Sequence, residues 1–62
     1  MNVDARDVVR LAAIAGVRIK VGTVYVWANR GNIKKARRGY ERASVLAWIA
    51  HERNERMNRH AD

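Results

Sequence analysis

Six cationic side chains crowd into one stretch of this 62-residue chain: Arg30, Lys34, Lys35, Arg37, Arg38 and Arg42. Glu41 is the one acid among them, so six positive charges against one negative leave +5 there, of a total of +7. A cluster of this kind can capture a polyanion, whether DNA, RNA or acidic lipid. Ten of the thirteen basic residues are arginine, whose planar fork matches phosphate oxygens and the guanine edge better than the point charge of lysine does. Arg18 and Lys20 add two further cations shortly before the cluster.

Other chemistry finds little material. The chain has no cysteine, which excludes a disulfide framework and the usual zinc-finger spacings. His51 and His60 stand alone near a polar C-terminus, and two isolated histidines do not make a metal's ligand set. Apart from the tyrosines, hydroxyls occur only at Thr23 and Ser44. Neither has a neighbour suggesting a nucleophile with its base, and Ser44 reads as a first-turn residue of a helix. No enzymatic activity, metal or cofactor is expected. A chain of this size buries only about 60% of its unfolded surface, which leaves no room for a cavity around a small-molecule substrate. No apolar run nears the roughly 18 residues of a membrane span, so no membrane partner is expected. Met1-Asn2-Val3-Asp4 lacks the basic-then-apolar order of a signal peptide, and a cytoplasmic location is the expectation.

The scaffold that must present the cluster can be read from spacing. Asp4 is placed to cap a helix and Asp7 to add negative charge to its first turn. Val8, Leu11, Ala12 and Ala15 follow at helical spacing, which predicts a first helix over 5–15 with one apolar face. Gly16 is placed to end it in a left-handed conformation, with Val17 folding back as the hydrophobic contact. Val21 to Arg30 is β-branched and argues locally for a strand. Val24, Trp27 and Ala28 nevertheless fall at i, i+3 and i+4, and Gly31 sits where a C-cap glycine belongs, so a second helix is expected. The helical period then stops. Residues 33–36 and 40–42 read as two short strands around Arg37-Arg38-Gly39, leaning on the helices through Ile33 and Tyr40. A last helix is expected from 41–44 onward, with Val45, Leu46, Trp48, Ile49 and Ala50 forming a broad apolar face. Residues 53–62 read as a frayed helix or tail. The helical spacing of Trp27 and Trp48 assigns both to the core and not to base stacking.

Mainly α with a small β-hairpin, as one domain over 1–62, this is the plan of a winged helix-turn-helix: three helices and a two-stranded wing. The sequence resembles the MerR-like and excisionase-like winged-helix family in Ala12-Ala13, Gly16-Val17, Gly22-Thr23-Val24-Tyr25-Val26-Trp27, Arg30-Gly31 and Val45-Leu46-Ala47-Trp48-Ile49. The stretch between Gly16-Val17 and Thr23 is a little longer than the family's commonest spacing, and the wing is short. The resemblance implies that the second helix enters the major groove of double-stranded DNA.

If Val24, Trp27 and Ala28 face inward, a 100° step per residue turns Gly22, Val26, Asn29 and Arg30 outward, with Thr23 and Tyr25 on the flanks. Asn29 can then read adenine, Arg30 guanine or a phosphate, and Val26 a thymine methyl. The expected DNA-binding residues are therefore Lys20, Thr23, Tyr25, Val26, Asn29, Arg30, Lys34, Lys35, Arg37, Arg38 and Arg42. The role the resemblance implies is that of a recombination directionality factor from a phage or mobile element. Such a protein binds and bends DNA cooperatively in the bacterial nucleoid, beside a phage integrase or another copy of itself. A small MerR-like transcriptional regulator, or a phage inhibitor of another protein on the same scaffold, are the alternatives.

Overall fold

The computed structural model describes the backbone of residues 2–60 and the side chains of residues 2–57. Three helices dominate: α1 (Ala5–Ile14), α2 (Val21–Asn29) and α3 (Arg42–His60). Two short strands, β1 (Asn2–Val3) and β2 (Tyr40–Glu41), complete the set. The fold is thus mainly helical with a small two-stranded antiparallel sheet.

Helix α1 begins as its sequence requires. The Asp7 amide donates to Asp4 Oδ1 at 2.8 Å, and the Asp4 amide donates back to Asp7 Oδ2 at 3.3 Å. This reciprocal pair satisfies amides that the first turn leaves free. Ala15 caps the C-terminus, and Gly16 follows at φ +86. The Gly16 amide then reaches the Ala13 carbonyl at 3.0 Å and the Val17 amide reaches Ala12 at 2.8 Å. The reversal drives Val17 into the interior, where it is fully buried. The same arrangement closes α2, with Gly31 donating to Ala28 at 3.1 Å and Asn32 to Trp27 at 2.9 Å.

Helix α2 has no side-chain hydrogen bond from its N-cap residue, Lys20. Nine residues with four β-branched members would not hold a helix in water. Packing supplies the rest, because Val24 and Trp27 are both buried against α1 and the rest of the core. Two buried side chains of this size are worth about 1.5–3 kcal/mol each, more than the summed propensity deficit.

Every segment contributes to one core: Val8 and Ala12 from α1, Val17 from the connection, Val24 and Trp27 from α2, Ile33 and Tyr40 from the loop, and Val45 and Ile49 from α3. The rings of Trp27 and Trp48 meet in a T-shaped arrangement, 6.2 Å between centroids and 75° between planes. The apolar face of α3 is narrower than expected. Leu46 is 38% exposed and Ala50 also faces solvent, because α1 and β2 cover only the stripe running through Val45 and Ile49.

The strand pairing differs from the expected hairpin. Residues 33–36 do not form a strand, and only Lys35 makes a single antiparallel bridge, to Tyr40. The regular partner of β2 is the N-terminal strand β1, in the register Asn2↔Glu41 and Val3↔Tyr40. Arg42, expected at the end of a strand, is the first residue of α3. A two-stranded ribbon this short is barely stable alone, so the chain adds pairing from its other end. Helix α3 continues to His60, so residues 53–60 are helical; residues 61 and 62 of the expected tail lie outside the described residues.

Two small features seat the loop between α2 and α3. Gly39, at φ +87, lies against the backbone of β1, and a Cβ there would collide with the Val3 carbonyl oxygen and stand 2.9 Å from its carbon. Ser44 Oγ donates to the Glu41 carbonyl at 2.8 Å and accepts from the Lys34 amide at 3.0 Å. One hydroxyl therefore joins the start of the loop to the first turn of α3.

Gly39→Ala combines left-handed strain with a backbone collision and should cost about 3 kcal/mol. Gly16→Ala meets nothing within 4 Å and should cost only about 1 kcal/mol of strain. Urea unfolding of both variants checks the pair, and equal losses would contradict the close approach to β1. Ser44→Ala should cost about 1 kcal/mol and accelerate hydrogen exchange at the Lys34 amide above the rest of the loop.

Candidate nucleic-acid interface

The surface of α2 divides as the helical step requires. Val24 and Trp27 point inward, while Gly22, Tyr25, Val26, Asn29 and Arg30 face solvent and Thr23 is half-buried on the flank. Tyr25 is 54% and Val26 44% exposed. Lys20 stands exposed at the N-cap of α2 and Arg30 at its C-cap. They mark opposite ends of a helix about 14 Å long.

At the Arg30 end the chain passes directly into the basic loop. The backbone there is held at several points. The Glu41 amide donates to the Lys34 carbonyl at 2.9 Å, and the Ala36 amide to the Gly39 carbonyl at 3.0 Å. Ile33 and Tyr40 anchor the two arms in the core at 2% and 6% exposure. Between these anchors Lys34, Lys35, Arg37 and Arg38 are all exposed, and Arg42 is exposed in the first turn of α3. Arg37 and Arg38 occupy the tip.

The eleven expected DNA-binding residues thus fall into two groups. Asn29, Arg30 and the five cations of the loop and α3 start are all exposed and follow one another along the chain. Lys20 and Thr23 sit at the far end of α2, with Tyr25 and Val26 between. Such a surface can hold several phosphates through its cations and offer a base edge the amide of Asn29, which both donates and accepts. The first amides of α2 can accept an anion at the positive end of the helix dipole.

Sequence reasoning missed two contributors, neither of which would touch a ligand. Strand β1 is too short to show any alternation. Ser44 was legible as a first-turn residue, but its acceptance of the Lys34 amide depends on the loop folding back ten positions. Trp27 is buried beneath this surface and has no face free for a base. Trp48 is half-buried, stacks on His51 at 4.8 Å, and its indole Nε1 finds no hydrogen-bond partner among the described residues.

No helix among the described residues is long and apolar enough to cross a membrane. Comparison with protein-family models, with curated proteins and with solved structures returns no match to this chain.

Proposed function

We propose that the chain is a double-stranded DNA-binding module of winged helix-turn-helix type. In this reading α2 enters the major groove, and the basic loop is the wing that grips neighbouring phosphates. The observation that carries it is that six exposed cations, Arg30, Lys34, Lys35, Arg37, Arg38 and Arg42, follow the exposed positions of α2 directly along the chain. Seven cations and five anions make up the remainder of the chain, so most of the net charge belongs to this one surface.

The face of α2 limits what can be read. Asn29 and Arg30 are its polar contacts, and Val26 its apolar one. Phosphate attraction therefore supplies most of the affinity, and the wing is too short to reach far into a minor groove. A module with this balance suits a task in which several copies coat adjacent sites and DNA deformability supplies part of the selectivity. That is the task of an excisionase-like recombination directionality factor, which bends DNA to favour excision.

Gel shifts across a salt series test the reading. Six neutralised phosphates give a slope of log K against log salt of about −5. Replacing Lys34, Lys35, Arg37 and Arg38 together by alanine should reduce that slope to about −2 and weaken preferred and scrambled DNA alike. Asn29→Ala should instead cost about 1–3 kcal/mol on the preferred site only. A flat salt dependence in the unaltered chain would reject DNA binding. Tight binding to one isolated site that stays straight in a circular-permutation assay would reject the directionality role while keeping the DNA-binding one.

A further inference from the structure

The basic loop adjoins the N-terminal end of α3. A second surface with different chemistry begins at Leu46, four residues or about 6 Å along that helix from Arg42, and extends to Met57. Two adjoining hollows of about 290 and 450 Å³ run between the C-terminal end of α1 with the turn after it and the stretch of α3 from Leu46 to Met57, sharing Ala15 and Arg53. Their apolar lining includes Ile14, which is 79% exposed, Met57 at 57% and Leu46 at 38%. On α3, Leu46, Ala50 and Met57 fall on one face at offsets of four and seven, the spacing of a seam that receives another helix, and Arg53 stands on the same face between the last two.

The rim has one sign. Arg53 and Arg56 line the trough and are both exposed, and no acidic residue lines it among the described residues. The exposed side chains of Ile14, Leu46 and Met57 gain nothing from a phosphate, which sets the trough apart from the basic loop. Its concavity suits a helical ridge better than a flat bilayer. A second copy fits poorly, since a two-fold contact sets the same patch against itself and would oppose Arg53 and Arg56 to their own equivalents on a +7 chain.

We infer that the trough docks an acidic amphipathic helix of a partner protein. Its apolar residues, at three- and four-residue spacing, fill the seam over about three turns, and its flanking Asp or Glu residues meet Arg53 and Arg56. The inference does not rest on the DNA reading, and the two surfaces can be occupied together.

The test uses the full chain, labelled with ¹⁵N, and synthetic helical peptides carrying leucines at that spacing, in several registers, flanked by Glu or by Lys. The Glu peptides are expected to shift amide resonances in residues 11–15 and 46–57, and the Lys peptides to leave them in place. Ile14→Asp should weaken binding by about tenfold or more, with an unchanged circular dichroism spectrum because the side chain is already exposed. Arg53→Glu with Arg56→Glu should exchange the preference, so that Lys peptides now bind. The inference is overturned if no peptide moves these resonances, if Lys peptides bind the unaltered chain as well as Glu peptides do, or if the charge exchange fails. It is equally overturned if the resonances move on concentrating the chain alone, which marks self-association. Binding to phosphatidylserine vesicles that Ile14→Asp abolishes, without peptide binding, would reassign the trough to a membrane.

Discussion

Tyr40 joins parts of the molecule that lie far apart along the chain. Its ring is buried in the core beside elements from all three helices, and its backbone pairs with Val3 on one side and Lys35 on the other. The loop before it carries four exposed cations that repel one another, and makes only one ladder contact of its own. Left free, such a segment would be a solvated coil. It keeps a shape because Ile33 and Tyr40 are worth more inside the core than the loop loses by being ordered and charged.

That constraint propagates outward. With Tyr40 seated, Gly39 must pass close to the β1 backbone, which only a residue without a Cβ can do. Glu41 then lies where its carbonyl meets Ser44, and Ser44 in turn takes the Lys34 amide. The start of α3 and the start of the loop are thereby locked together, so the cations from Lys34 to Arg42 are displayed on a backbone held at both ends. For a polyanion partner this matters, since a preordered array loses less entropy on binding than a coil bearing the same charges.

The molecule also separates its exposed surfaces by chemistry. The basic loop is cationic and the α2 face mixes Tyr25 and Val26 with Asn29 and Arg30, suited on the proposed reading to phosphates and base edges. The trough between α1 and α3 combines the apolar side chains of Ile14, Leu46 and Met57 with the guanidinium groups of Arg53 and Arg56. A chain of 62 residues has little surface to spare, and α3 makes the division possible by running on beyond the core residues Val45 and Ile49 as far as His60.

Local signals in the sequence were enough for the helices. Asp4 and Asp7, the 3–4 spacing of Val8, Ala12, Val24 and Trp27, and the glycines at 16 and 31 placed both short helices within a residue of their ends, because caps and periodicity act over one or two turns. The exposed face of α2 and the charge of the loop followed from the same spacing. What lay beyond reach depends on contacts distant along the chain. A two-residue strand at Asn2–Val3 carries no period, so its pairing with Tyr40–Glu41 exists only once the fold brings the ends together. Leu46 and Ile49 are equally apolar, yet one is buried and the other exposed because α1 and β2 cover only part of α3. The six cations were legible as a cluster from the first reading. That they stand on a loop braced by the N-terminal strand and a serine of the last helix was decided by tertiary structure, where long-range backbone pairing chooses among partners that the local sequence leaves equivalent.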